Sequence, residues 1–290
     1  MTDPEDLLSE SLQTLYDYSP VAYSSAGSSF TYTYYGPLLL HPPSSDIRPG
    51  PPTDRSLTII LKTPDTQPAN WSLHASSVWM ASIFVADHLQ DLFLDRRIRA
   101  ARDDRRTLRV LELGAGAGLP GILIAKCYDD IEVISSDYPD ESLIEALEDN
   151  IVQNRVSDRC RAVPYAWGTD PAPLLTTPKI PDSRQSHEFD VIIAADTLWN
   201  PDLHSIFLKT LCMTLRKSLN ARIYLVAGLH TGRYAIQAFL RDIVDAGLKI
   251  EELLEKEANG SDQRDWCAER AGETEQDRRR WVIWVVLRWV

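Results

Sequence analysis

The period of the apolar positions changes along this chain. From residue 108 onward, short apolar runs at 108–113, 131–136, 161–165, 189–195 and 223–227 alternate with segments of helical spacing at 120–127, 140–153, 203–219 and 233–246. Near-continuous runs of Val, Ile and Leu between helices are strands of a parallel sheet covered on both faces. Residues 248–254 and 281–290 read as a sixth and a seventh strand, the last one antiparallel, and 255–280 as a charged loop between them. The expected fold over 76–290 is α/β, a seven-stranded Rossmann-like sheet with helices on both faces.

Upstream the pattern differs. Residues 1–29 are acidic and Ser-rich and are expected to be flexible. Residues 30–35 alternate aromatic residues with Thr, and 57–62 form a second strand-like run. Prolines crowd the stretch between them and mark a loop. Together these predict a hairpin within an N-terminal extension at 30–75. Helical spacing over 76–94 places Val78, Ile83, Val85, Leu89, Leu92 and Phe93 on one face.

Composition narrows the function classes. A net charge of −12 disfavours nucleic-acid backbones and anionic lipid and suits a basic protein partner. Cys127, Cys160, Cys212 and Cys267 lie far apart with no CxxC or Cys/His cluster, so no metal site is read and free thiols are expected. The acidic start (Asp3, Glu5, Asp6, Glu10) does not read as a signal peptide, and the apolar run 281–290 is too short to span a bilayer. A monomer in the cytoplasm, or the nucleus, is the expectation.

Residues 110–119 read VLELGAGAGL, a strand that runs into glycines before a helix begins. Glycine lets the backbone turn tightly and approach a ligand closely. Gly114, Gly116 and Gly118 are spaced G-x-G-x-G, whereas a dinucleotide fingerprint is G-x-G-x-x-G, and residue 119 here is Leu. An acid two positions ahead of such a triplet is the form of S-adenosylmethionine sites. Glu112 is that acid, placed to pair with the cofactor's ammonium group. The alternative is a plain strand-to-helix turn.

One strand later comes Asp137, about 20 residues beyond the glycines, where a carboxylate can accept both ribose hydroxyls of a nucleoside. Alternatively it only caps the helix that Pro139, Asp140 and Glu141 open. Trp167, after the third strand, either edges an adenine or is a core tryptophan. The fourth strand closes on ADTLWN at 195–200. Ligands of open α/β sheets sit outside the carboxyl ends of the strands, so Asp196, Trp199 and Asn200 face the point of methyl transfer. His204 lies one helical turn farther on, and a lone histidine there is more often structural than catalytic.

Jointly these residues resemble the family-16 methyltransferases, which methylate lysines and N-termini of proteins. Within that family they look most like a fungal branch labelled nicotinamide N-methyltransferase-like, which includes an elongation factor 1-alpha methyltransferase. The resemblance covers about residues 57–290 and rests on VLELGAGAGLP (110–120), SDYPDESLIEALEDN (136–150), ADTLWNPDLH (195–204), the Ala166-Trp167-Gly168 step and the helix carrying Trp79. It implies the seven-β-strand methyltransferase fold and S-adenosylmethionine as cofactor. By that resemblance Trp79, Gly114, Ala115, Gly116, Asp137, Trp167 and Ala195 contact the cofactor. Asp196 and Trp199 fall in the family's Asp-x-x-aromatic element near the acceptor amine. The chain departs from the branch near the substrate mouth, with Leu73-His74 where Leu-Trp is usual and Trp79-Met80 where Trp-Asn is frequent. The implied activity is N-methylation of a protein amine, a lysine or an N-terminal α-amine, on a basic, lysine-bearing protein such as a translation elongation factor. The alternative acceptor is a small molecule, a nicotinamide-like base or a metabolite.

Overall fold

The computed structural model describes residues 21–36, 56–66, 68–176 and 187–290. Residues 1–20 and most of the proline-rich stretch lie outside the described residues. The expected hairpin is present as β2 (Ser29–Tyr34) against β3 (Leu57–Lys62), antiparallel, preceded by the two-residue strand β1 (Ala22–Tyr23).

The single helix expected over 76–94 is divided. Val78 and Trp79 form β4, paired with β1, before helix α1 (Met80–Asp87) begins. At its end the His88 ring stacks on Phe84 at 3.9 Å, and its Nδ1 lies 2.9 Å from the Phe84 carbonyl. A short 3-10 turn follows, and Phe93, at φ 51°, redirects the chain into α2 (Leu94–Asp103). Of the expected apolar positions Val78, Val85, Leu89 and Leu92 are buried and Ile83 is half-buried, but Phe93 is exposed, and the stretch is divided among a strand, a helix and a 3-10 turn.

The remaining elements form one sheet with its covering helices. They are β5 (Leu108–Leu113), α3 (Leu119–Cys127), β6 (Ile131–Asp137), α4 (Glu141–Gln153), β7 (Cys160–Pro164), α5 (Ala172–Leu175), β8 (Val191–Ala195), α6 (His204–Thr214), β9 (Arg222–Gly228), α7 (Arg233–Asp245), β10 (Leu248–Glu257), β11 (Gln263–Asp265), α8 (Glu275–Arg279) and β12 (Trp281–Trp289). The strand order is β11-β10-β12-β9-β8-β5-β6-β7. β5 to β9 pair in parallel, and β12 lies antiparallel to both β9 and β10. β11 pairs antiparallel with β10.

Alternate residues of each strand feed two cores. Val110, Val133, Ile193, Val226 and Trp284 pack beneath α1 to α4, whereas Leu111, Ile134, Ile192, Leu225 and Val285 pack beneath α5 to α7. This two-sided burial is why the strands read as continuous apolar runs.

The stretch 255–280 is more ordered than its charge pattern predicts. Glu255 is fully buried and accepts two hydrogen bonds from Arg233, at 2.6 and 2.9 Å, and one from Arg264 at 2.8 Å. Burial alone would raise its carboxyl, but Arg233, Arg264 and Arg270 hold it down at about 2. Because a buried charge must be paired, these arginines fix the loop in place, and β11 and α8 form within it.

The extension is attached to the sheet domain by two asparagines one helical turn apart. Asn150 Oδ1 accepts from Lys62 N (2.7 Å) and its Nδ2 donates to Lys62 O (2.9 Å) and Ala117 O (3.0 Å). Asn154 repeats the pattern on Ile60, accepting at 3.1 Å and donating at 2.8 Å. Four residues of helix rise about 6 Å, close to the roughly 6.8 Å of two strand residues. The two amides therefore imitate a neighbouring strand along the free edge of β3. Asn150→Ala would remove the side-chain partner of three backbone groups, one of them at the buried Ala117, a loss of about 2–4 kcal/mol. Urea unfolding should show a midpoint lowered accordingly, and an unchanged midpoint would remove this attachment from the account.

Candidate active site

The strand order reverses between β5 and β8, since the chain goes outward through β6 and β7 and then returns to β8 and β9. A cavity of about 370 Å³ opens there, outside the carboxyl ends of the strands. That volume and place are typical of a small-ligand site.

Its floor is the glycine turn after β5. Gly114, Gly116 and Gly118 all have positive φ (70°, 52° and 84°). A Cβ on Gly114 would come within 2.8 Å of Thr197 Cγ2, and one on Gly118 within 2.5 Å of Leu147 Cδ1. At Gly116 the nearest atom is the Ala75 carbonyl, at 3.8 Å, so open space faces the turn. The Asp137 side chain holds the turn from the end of β6. Gly116 N–H donates to its Oδ2 (2.7 Å) and Tyr138 N–H to its Oδ1 (2.7 Å). Each oxygen keeps acceptor capacity towards the cavity. Burial raises the Asp137 carboxyl, and the two backbone N–H groups draw it back. The cap of α4 is Asp140, whose Oδ1 accepts from Leu143 N (3.0 Å). Asp137 is thus free of the capping role that the sequence left open to it.

The far side is built by the end of β8. Ala195 lines the cavity, and Asp196 turns the chain at φ 52°. Its Oδ1 accepts from Gly228 N (2.7 Å) at the end of β9, and its Oδ2 from Ala81 N (3.2 Å) in the first turn of α1. Burial raises this carboxyl, while Gly228 N–H, the nearby His230 and Ala81 N–H lower it. Above it stands a wall of rings. Trp79 stacks on His230 (5.6 Å, 9°), His74 meets Trp79 edge-on (6.2 Å), and Trp199 meets His74 edge-on (5.1 Å). Trp167 lines the cavity and also packs on Phe207 at 4.7 Å.

Three candidates from the sequence lie elsewhere. Glu112 does not line the cavity. It points under α3, where its Oε2 accepts from Ser135 Oγ (2.6 Å) and Gly121 N (3.2 Å), so direct pairing with a cofactor ammonium is corrected to support of the turn from behind. Asn200 caps the 3-10 turn Pro201–Leu203 through Asp202 N. His204 is buried, with Nε2 3.1 Å from the Leu198 carbonyl and its ring against Phe239. Conversely, His230 belongs to the cavity and was not singled out. The rule that flagged the end of β8, applied to β9, finds it. Among the described residues no group of His, Cys, Asp or Glu is arranged to hold a metal, and the four cysteines are free. No helix among them is long and apolar enough to cross a membrane.

The profile of the lysine methyltransferase family matches residues 67–244, the segment that builds this cavity. The chain belongs to that family. Protein N-terminal and lysine N-methyltransferase efm7 of Schizosaccharomyces pombe is 32% identical over 189 residues, covering 64% of this chain and 69% of the relative. The protein of the same name from Gibberella zeae is 30% identical, covering 51% and 59%, and that from Debaryomyces hansenii 29%, covering 70% and 73%. Among solved structures, TrmN from Thermus thermophilus gives a TM-score of 0.42 at 17% identity, covering 67% of this chain and 47% of that one. A SAM dependent methyltransferase from Aquifex aeolicus gives 0.40 at 15%, covering 63% and 82%.

Family and fold imply that this methyltransferase uses S-adenosylmethionine, and the cavity's donor set fits it. The fit lies in a turn without Cβ atoms at Gly116, a carboxylate with spare acceptor sites at Asp137 and an aromatic lining.

The methyltransferase carries a stability cost at Glu112. Burial lifts its carboxyl from 4.5 to about 7, against the hydrogen bonds of Ser135 and Gly121. Between these values the unfolded chain ionises Glu112 and the folded one does not, so stability is lost as pH rises through this window. Glu112→Gln removes the titration. Its stability relative to wild type should improve by about 3 kcal/mol between pH 4 and pH 8, measured by urea unfolding. A difference that does not change with pH would contradict a neutral, buried Glu112.

Proposed function

We propose that the chain is an S-adenosylmethionine-dependent N-methyltransferase whose acceptor is a protein amine, the side chain of a lysine or an N-terminal α-amine, on a basic protein. One observation carries this reading: a half-buried carboxylate, Asp196, shares one cavity with a group of aromatic and imidazole rings, the glycine turn and Asp137. The names of the related fungal enzymes support it, as does the net charge of −12, which attracts a lysine-rich surface. A translation elongation factor is the acceptor we would test first. We place the enzyme in the cytoplasm as a monomer.

When bound, the cofactor supplies an activated methyl sulfonium, and the chain's task is to align a neutral amine behind it. Alignment alone is worth roughly 7–11 kcal/mol. Asp137 would hold the ribose hydroxyls, and Gly114, Ala115 and Gly116 would let the backbone approach. Trp79, Trp167 and Ala195 would enclose the nucleoside and methionyl portions. Trp199 would line the channel for the amine and offer a face to its charge. A lysine has a reference pKa of about 10.4 and an α-amine about 8; burial among rings favours the neutral form. Asp196 would accept a hydrogen bond from the amine and orient it. A carboxylate favours the charged amine, so orientation is its role and not activation.

Recombinant enzyme with tritiated S-adenosylmethionine and purified elongation factor 1-alpha should place label on the protein. Label only on small molecules of a lysate would move the acceptor to that class. Asp196→Asn keeps a residue that tolerates positive φ. It should bind S-adenosylhomocysteine within about threefold of wild type yet turn over at least about tenfold more slowly, roughly 1.4 kcal/mol of transition-state stabilisation. Equal turnover would remove Asp196 from the assignment. Asp137→Ala should weaken S-adenosylhomocysteine by about 1.5–3 kcal/mol per lost charge-assisted hydrogen bond, read by calorimetry, and an unchanged affinity would free the ribose from this acid.

A further inference from the structure

We propose that His230 is the catalytic base of this methyltransferase, taking the proton that the acceptor amine must lose before it can receive a methyl group. The inference rests on the reading of the site given above. His230 lies just past the end of β9 and lines the cavity together with Asp196 and Trp199. Its ring lies flat on Trp79, 5.6 Å away and 9° from parallel. Its Nδ1 is buried and has no hydrogen-bond partner among the described residues. A buried polar atom without a partner is costly, and in a folded protein it calls for an explanation.

Gly228 brings this imidazole next to the orienting acid. A Cβ there would come within 2.6 Å of His230 Nδ1 and 3.5 Å of Asp196 Oδ1, while Gly228 N–H donates to that same Oδ1. Only a residue without a side chain lets both groups close on the one spot. An amine hydrogen-bonded to Asp196 therefore stands beside the imidazole.

Other groups of the cavity suit the proton less well. Asp196 already accepts two backbone N–H bonds, and Asp137 holds the glycine turn. Tyr165 already donates its hydroxyl to Thr169 O (3.0 Å), and the Tyr138 side chain is exposed. His74 sits at the exposed rim, edge-on to Trp79 and Trp199. Imidazole is the side chain that exchanges protons near neutrality. The charge it gains lies over the indole face of Trp79, a cation–π arrangement, and near the Asp196 carboxylate.

Helix α8 also packs on the turn that carries His230, and it brings Glu275, Asp277, Arg278 and Arg279. Of these, Arg279 is paired with Glu275, and Asp277 with Thr274. Arg233, at the start of α7, is consumed by Glu255 and Glu273.

The step balances simply. One N–H bond of the ammonium breaks and its proton bonds to an imidazole nitrogen of His230. The ammonium becomes a neutral amine with a free lone pair, and the imidazolium later returns the proton to solvent through the cavity mouth.

The test is the rate of methylation of purified elongation factor 1-alpha at saturating S-adenosylmethionine, from pH 6.5 to 9.5, for wild type and His230→Asn. The variant should be about 100-fold slower at pH 7, and the deficit should shrink to about fivefold or less at pH 9.5, where more of the amine arrives neutral. Added imidazole should restore part of the rate to His230→Ala, and S-adenosylhomocysteine should bind all three proteins alike. A deficit that is the same at every pH, no rescue by imidazole, or a variant as fast as wild type would overturn the assignment. A wild type that labels no protein would fail the function on which the proposal rests. An active wild type beside an unaffected variant would fail the base alone.

Discussion

Withdrawing a carboxylate from water costs free energy unless hydrogen bonds compensate, and this enzyme half-buries one at the end of β6 and one at the end of β8. Each is compensated from the neighbouring strand. Asp137 accepts an N–H from the turn that follows β5, and Asp196 accepts one from the end of β9. The two contacts fix the backbone on either side of the point where the strand order reverses, so the cleft has a defined width before any ligand enters. They also explain why an acid stands at these two positions even apart from ligand binding. A neutral apolar residue would leave the amides of Gly116 and Gly228 unpaired.

The third participant is the N-terminal extension. Asn150 and Asn154 hold β3 as if it were paired to another strand, and β4 pairs with β1 just ahead of α1. The chain is thereby brought across the mouth of the cleft, where it places His74 and Trp79. Ala81 N–H at the start of α1 reaches back to Asp196 over 115 positions of sequence. The helix N-terminus adds a favourable field for the same carboxylate. Through His74 the end of the extension is part of the site.

What could be read from the sequence follows from what is local. Continuous apolar runs located β5, β6, β9 and β12 to within a residue or so, because strands buried on both faces have no polar alternation to confuse them. The glycine turn and Asp137 were legible because their spacing is a backbone property. Glu112 misled, since its position in the motif fits a ligand, while its side chain lies on the α3 face of β5, away from the cleft. The end of α1 at Asp87 and the start of α2 at Leu94 were not read, because the turn between them rests on the left-handed backbone of Phe93, an exposed aromatic residue that no turn-forming residue type marks. The order of 255–280 was hidden for another reason. Its charges pair with one another and with Arg233, and only the folded chain brings that arginine to Glu255.

Placing Asp196 also constrains the chemistry left to its neighbours. Two of its acceptor positions are filled by backbone N–H groups, and those that remain face the cavity. A carboxylate so engaged can accept from an ammonium and orient it, but a close negative charge strengthens that ammonium's hold on its proton. The grip that gives alignment therefore works against deprotonation, and a different group within reach of the same nitrogen is better suited to take the proton. Gly228 supplies the space for one. It donates its N–H to Asp196 while its missing side chain admits the His230 ring beside it. In the mechanism proposed above, orientation and proton acceptance are divided between the ends of two adjacent strands.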